Sequence, residues 1–175
     1  LADDTAPFWK TKTLDQMSTA EWESLCDGCA RCCLVKLEDE DSGKIHLTRL
    51  ACRLLDTNAC RCTDYSNRFA RMSDCLAITP ANLASLTWLP ETCGYRTIQE
   101  GRDLAWWHPL VSGDPDTVHL AGISARGWTI SEARVPEDEI DRYIIQNYRK
   151  SKAVPKRSGT GRTKRRVASI PGGAS

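Results

Sequence analysis

Apolar positions fall in short, separated blocks along the 175 residues, and each block carries its own period. Ser18-Thr19-Ala20-Glu21 opens with a hydroxyl at an N-cap and a carboxylate three residues on. That predicts a helix start, carrying Trp22 and Leu25 toward a cysteine-rich stretch, with Gly28 ending or distorting it. KIHLT (44–48) reads as a strand. LTRLACRLLD (47–56) places apolar residues at 47, 50, 51, 54 and 55, which is helical spacing. CRCTDYSNRF (60–69) reads as loop, and Pro80 before ANLASL as a helix start. TVHLAG (117–122) and GWTISEARV (127–135) alternate in part and predict short strands. Behind Pro136, Ile140, Tyr143, Ile144 and Tyr148 share one helical face, predicting an amphipathic helix. No internal repeat is visible. The elements add up to a small mixed α+β domain.

Charge divides the chain. Residues 1–148 carry 15 basic and all 23 acidic side chains, a net of −8, while residues 149–175 carry nine basic side chains and no acidic one. Three segments follow: an N-terminal arm (1–17), a body (18–149), and a basic tail (150–175) rich in Gly, Ser, Lys, Arg and Pro that reads as disordered. The tail can attract nucleic acid or anionic lipid non-specifically, but the acidic body repels phosphate, so a nucleic-acid protein is not expected. No apolar run nears the roughly 18 residues a membrane helix needs. The opening LADDTAPFWK has neither a basic nor an apolar leader region, so a cytoplasmic location is expected.

Cysteine changes the picture most. Nine cysteines, Cys26, Cys29, Cys32, Cys33, Cys52, Cys60, Cys62, Cys75 and Cys93, fall within residues 26–93, and the rest of the chain has none. A disulfide framework suits small secreted chains with an even count; an odd count, with four thiols in CDGCARCC, argues for metal instead. Cys26-x-x-Cys29-x-x-Cys32 repeats the spacing seen in zinc sites and at the start of iron–sulfur ligand sets. At a Zn–S length of about 2.3 Å, tetrahedral sulfurs lie roughly 3.8 Å apart. Gly28 and Ala30 are small enough to let the backbone wrap close. Neighbouring residues point about 100° apart on a helix and oppositely on a strand. Cys32 and Cys33 are therefore expected to serve different centres, or one of them none. Cys52, Cys62, Cys75 and Cys93 can complete one or two sites, with Cys60 as the spare. The cofactor is zinc or iron, with an iron–sulfur cluster among the iron options. Apo protein is expected to lose the 26–93 region.

CDGCARCC, ACRLL (51–55), CRCTDYSNR (60–68) and Cys75 resemble the CxxCxxCC cysteine-cluster family of YkgJ/YcgN type. PFWKTKTL, WESLCDGC, KLEDEDSG, LPETCGYR, WWHPLVSG and VPEDE resemble its YcgN-like branch, over roughly residues 7–148. The family's Cys-x-x-Tyr-x-x-Arg corresponds here to Cys62, Tyr65 and Arg68. Asn67-Arg68-Phe69 departs from the Arg-Pro and closer cysteine of other members, which weakens Cys75 as a ligand. The resemblance implies zinc or iron chelation and little about activity; a related cluster in flagellin lysine methylases leans toward iron.

The remaining candidates are weaker. His46, His108 and His119 are expected to be structural, with His108 the first to mutate. The six tryptophans read as core and as shielding around a centre, with Trp106-Trp107 as an alternative partner patch. No GxSxG, GxGxxG or P-loop is present, so autonomous catalysis is not expected. The expected role is metal handling, redox sensing or electron transfer. An enzyme using the centre and a zinc-stabilised module for an unidentified protein partner are the alternatives.

Overall fold

The structure is a computed structural model and describes residues 6–145 and 164–166. It forms two units, Leu1–Cys29 with Ile78–Ser124, and Ala30–Ala77 with Ala125–Ser175. The class is α+β, with a mixed sheet and short helices.

The sheet belongs to the second unit. Its strands are β1 (Leu34–Asp39), β2 (Ile45–Ala51), β3 (Leu55–Asp56), β4 (Arg61–Cys62), β5 (Ile130–Ser131) and β6 (Lys164–Arg166). β1 and β2 form an antiparallel hairpin around the acidic turn, β5 lies parallel to β2, and β6 lies antiparallel to β1, giving the order β5-β2-β1-β6. β3 and β4 make a separate two-stranded ribbon. Successive side chains alternate between the faces of a strand, and both faces of the hairpin are covered. Leu34 and Ala51 pack with Ala30, Leu55, Cys60 and Ala125 on one side. Val35, Leu37 and Leu50 pack with Ile140 on the other. Each fully buried Leu or Val adds about 1.5–3 kcal/mol of hydrophobic stabilisation. The buried carboxylate of Glu132 accepts a hydrogen bond from the Arg53 backbone N–H at 3.0 Å, fastening the end of the hairpin to the segment after β5.

The first unit is helical. Ser18 Oγ accepts from the Glu21 N–H and Glu21 Oε2 accepts from the Ser18 N–H, at 3.3 and 2.8 Å, so the capping box forms and starts the helix Thr19–Ser24. Trp22 on that helix packs against Tyr95 in a tilted arrangement, ring centroids 4.8 Å apart, and donates its indole N–H to the Ile78 carbonyl at 2.9 Å. The chain then passes so close to the helix Gly94–Gln99 that a Cβ on Gly94 would lie 2.1 Å from the Leu25 carbonyl oxygen and 2.9 Å from His108 Nε2.

Several expected elements differ. Residues 47–56 are not helix but the end of β2, a turn at 52–54 and β3, because a bulge in β2 breaks the alternation and leaves apolar residues at helix-like intervals. Residues 117–122 form the helix Thr117–Leu120 where a strand was expected; only Val118 of that helix is buried, so it has no alternating buried face for a sheet to use. Of 127–135 only Ile130–Ser131 is strand. Pro80-ANLASL yields the 3₁₀ turn Leu83–Ser85, and 60–69 contains β4 and a helical turn starting at Arg68. The amphipathic helix is a 3₁₀ segment, Glu137–Tyr143, which ends where Ile145 donates its N–H to the Leu47 carbonyl at 2.8 Å; Tyr148 lies outside the described residues. The expectation for the tail (150–175) falls on residues outside the described ones, apart from the short strand β6 at Lys164–Arg166. Among the described residues no helix is long and apolar enough to cross a membrane.

Two glycines separate crowding from backbone strain. Gly94→Ala meets a backbone oxygen that cannot swing away, and should cost several-fold more stability than Gly28→Ala. Gly28 has open space around it, and at its φ of +75° an alanine costs only the left-handed penalty of about 1–2 kcal/mol. Denaturant melts of the two variants check the ranking.

Candidate metal centre

CDGCARCC turns sharply because Gly28 and Ala30 both adopt left-handed backbone, at φ of +75° and +59°. In Ala30 this is strained for an L-residue. The two turns flank Cys29, and Ala30 then caps the 3₁₀ turn Arg31–Cys33 that leads into β1. The division between the units falls within this motif. Cys26, Cys29 and Cys93 belong to the first unit; Cys32, Cys33, Cys52, Cys60, Cys62 and Cys75 belong to the second. All nine are present as thiols.

In the first unit Cys29 is buried against Trp107 and Val118, and its N–H donates to Asp27 Oδ1 at 2.9 Å. Cys93 is buried immediately before the helix Gly94–Gln99. Asp27 is only 4% exposed, and its second oxygen, Oδ2, is buried without a hydrogen-bond partner. A buried carboxylate oxygen left unpaired is costly. Sequence reading passed over Asp27 because its neighbours are the motif's cysteines; an acidic residue inside a ligand loop was the available signal.

In the second unit the hairpin draws cysteines from distant sequence together. The register pairs Lys36 with Leu47 and Leu37 with His46, but Leu34 with Ala51. β2 therefore carries two extra residues at this end. Thr48, fully buried, fills the irregularity: its hydroxyl donates to the Val35 carbonyl at 2.9 Å and accepts from the Leu50 N–H at 3.1 Å. The shift aligns Cys52 with Cys33, and the Cys52 N–H donates to the Cys33 carbonyl at 2.9 Å. Cys32 Sγ and Cys33 Sγ lie 4.0 Å apart. Both residues lie in the tight 3₁₀ turn Arg31–Cys33, and the chain becomes extended only at Leu34, so these adjacent side chains bring their sulfurs close although a regular helix or strand would point them apart. Hydrogen bonding and charge from Cys32, then burial, push the Cys33 thiol well above its usual pKa, Cys52 adding to the rise and Lys36 opposing it. Lys36 Nζ itself donates to the carbonyls of Cys32 and Leu34 at 2.7 and 2.8 Å.

β4 pairs Cys62 with Leu55. Burial raises the pKa of the Cys75 thiol; Arg68 opposes this, while Cys52, Cys62 and Cys32 reinforce it. Arg68 explains the Cys-x-x-Tyr-x-x-Arg pattern: its guanidinium lies 3.7 Å over the Tyr65 ring and 4.1 Å over Phe69, and Nη1 donates to the Tyr65 carbonyl. Cys60 sits apart in character, buried in the apolar cluster with Leu34 and Leu55 at a φ of +54°. Among the described residues no three Cys, His, Asp or Glu side chains are grouped to hold an ion as they stand.

His108 is fully engaged. Nδ1 accepts from the Leu110 N–H at 3.1 Å, so Nε2 carries the proton and donates to the Leu25 carbonyl at 3.1 Å. Burial lowers its pKa, consistent with a neutral ring. Trp22 and Trp107 are buried, whereas Trp106 is 66% exposed.

Residues 25–94 match the family profile CxxCxxCC, described as "Putative zinc- or iron-chelating domain". The chain belongs to the UPF0260 family. It is 61% identical over 140 residues to the UPF0260 protein of Nitrobacter hamburgensis, covering 79% of this chain and 82% of that one. It is 59% identical over 138 residues to the UPF0260 protein of Allorhizobium ampelinum, covering 79% and 87%. A relative from Rhizobium etli is 58% identical over 139 residues, covering 79% and 88%. No solved structure matches the chain.

Two substitutions separate scaffold from ligand. Thr48→Val keeps the shape but strands the Val35 carbonyl and Leu50 N–H, and should destabilise the protein by about 1–3 kcal/mol. His108→Ala should lower the melting temperature while leaving the metal-to-protein ratio unchanged. Chemical melts and elemental analysis of the purified variants check both.

Proposed function

We propose that this chain binds zinc or iron through its clustered thiols and serves metal handling, redox sensing or electron transfer, without catalysis of its own. One observation carries the reading. The Cys32 and Cys33 sulfurs stand 4.0 Å apart, close to the roughly 3.8 Å that two sulfurs on one tetrahedral zinc require. The hairpin register supports it by holding Cys52 against Cys33, and the unpaired Asp27 oxygen supports it by offering a buried negative site beside Cys26. The assigned ligands are Cys26, Cys29 and Cys32, then Cys33, Cys52 and Cys62, then Cys75 and Cys93, in one or two centres. Cys60 is left out because it packs as an apolar side chain. Since no three donors converge unaided among the described residues, ligation rotates further thiols inward. Metal arrival should therefore tighten this region. A reducing, cytoplasmic setting fits nine thiols.

The bound ion supplies charge neutralisation for crowded thiolates and, if iron, an electron site. A structural zinc contributes about 10–16 kcal/mol of apparent binding, against about 5–15 kcal/mol for the net stability of a domain. Removing the metal is therefore expected to unfold the cysteine region. Anaerobic purification with elemental analysis and an absorption spectrum tests the proposal. An iron–sulfur form is brown and bleaches on reduction, while a zinc form is colourless. Cys29→Ser and Cys33→Ser should each lower the metal content and raise susceptibility to protease. Metal-free protein with its thiols paired, or variants with unchanged metal load, would overturn it.

A further inference from the structure

The nine basic residues after residue 148 have no assigned role, and the structure places three of them. Lys164–Arg166 run antiparallel along β1, pairing Arg166 with Leu37, Arg165 with Glu38 and Lys164 with Asp39. β1 is otherwise an edge, since its other side is taken by β2. An uncovered edge exposes a row of backbone donors and acceptors and invites pairing with another strand. This edge ends in Glu38-Asp39-Glu40-Asp41, four consecutive acidic residues. The register sets positively charged residues opposite negatively charged ones at two successive positions, and such cross-strand pairs favour one alignment over its neighbours. The tail's composition also selects this segment. Pro155, Gly159, Gly161, Pro171, Gly172 and Gly173 punctuate the rest, whereas Arg162–Ile170 contains neither Gly nor Pro and includes Thr163 and Val167, residue types that favour strands.

We propose that the outer edge of β1 with its acidic turn is a binding site for a short basic strand, and that the chain's own Lys164–Arg166 is its ligand, bound in cis. The tail is thus addressed to the protein's own sheet and not to nucleic acid. Two forces hold it. Backbone pairing gives it a register, and attraction between residues 149–175, net +9, and residues 1–148, net −8, weakens as salt shortens the range of charge interactions. β1 begins directly after Cys33, so the latch grips the strand leading out of the thiol cluster. The proposal does not depend on metal.

Hydrogen–deuterium exchange of the full-length chain, read by mass spectrometry on a peptide spanning β1, tests it. Arg165→Pro removes a backbone donor and cannot continue the strand. It should speed exchange of β1 amides about tenfold at low salt, leaving the melting of the remainder unchanged. Lys164→Glu with Arg165→Glu should do the same, and adding Glu38→Lys and Asp39→Lys to that pair should restore protection. High salt should loosen β1 in the native chain but not further in Arg165→Pro. A peptide of sequence RTKRRVASI, added to the Arg165→Pro chain, should restore protection; a peptide with proline at its central arginine should not. Unchanged β1 exchange in both tail variants would overturn the proposal. So would protection that rises with protein concentration together with a dimer mass, which would make the ligand a second copy's tail.

Discussion

The register of one hairpin governs the thiol cluster. Two extra residues in β2, held in place by the buried hydroxyl of Thr48, shift the pairing between Lys36 and Leu34. In the uninterrupted register Leu50 would face Cys33, and Cys52 would lie two residues further along, about 6.6 Å away at strand rise. With the bulge, Cys52 and Cys33 share a backbone hydrogen bond. Lys36, at the edge of the irregularity, reaches back to the Cys32 and Leu34 carbonyls. Bulges that re-aim side chains near functional sites are a recurring device of sheets, and here the device sets which sulfurs are neighbours.

The first unit uses a different constraint, close backbone approach. Gly94 lets the helix it begins lie against the Leu25 carbonyl, and His108 donates to that same oxygen. The last turn before Cys26 is thereby fixed by a neutral, doubly bonded imidazole. A histidine with both nitrogens committed has no lone pair to offer an ion, so His108 serves as a support for the backbone that leads into Cys26. Its burial and its paired nitrogens are what distinguish it from a ligand.

Much of this was legible in the sequence, for identifiable reasons. The Ser18–Glu21 capping box and the strand at 44–48 depend on local chemistry, and both form. The cysteine spacing pointed to metal, and the resemblance carried by CDGCARCC together with motifs such as CRCTDYSNR, LPETCGYR and WWHPLVSG pointed to the family that the comparisons then showed. Residues 47–56 misled because a bulged strand followed by a turn reproduces helical spacing; the buried polar Thr48 was the clue against a helix. The segment after Pro136 has Ile140 and Tyr143 three apart, a period shared by α and 3₁₀ turns, and contact with β2 ends it at Ile144. The proximity of Cys32 and Cys33 was hidden because both sit in a short 3₁₀ turn that gives way to strand at Leu34, a geometry that neither a regular α-helix nor a strand describes. Asp27 and β6 could not be seen at all by periodicity: one depends on burial, the other on a partner strand more than a hundred residues earlier.

The order of the strands has a consequence for a chain emerging from the ribosome. β1 and β2 are neighbours in sequence and can pair as soon as Ala51 is free, but β5 joins only after Ser131 and β6 only after Arg166. Contacts of such long range form late. Cys32, Cys33 and Cys52 therefore all leave the ribosome before β5 and β6, the strands that flank the hairpin on either side, have been made; the hairpin on its own is only marginally stable.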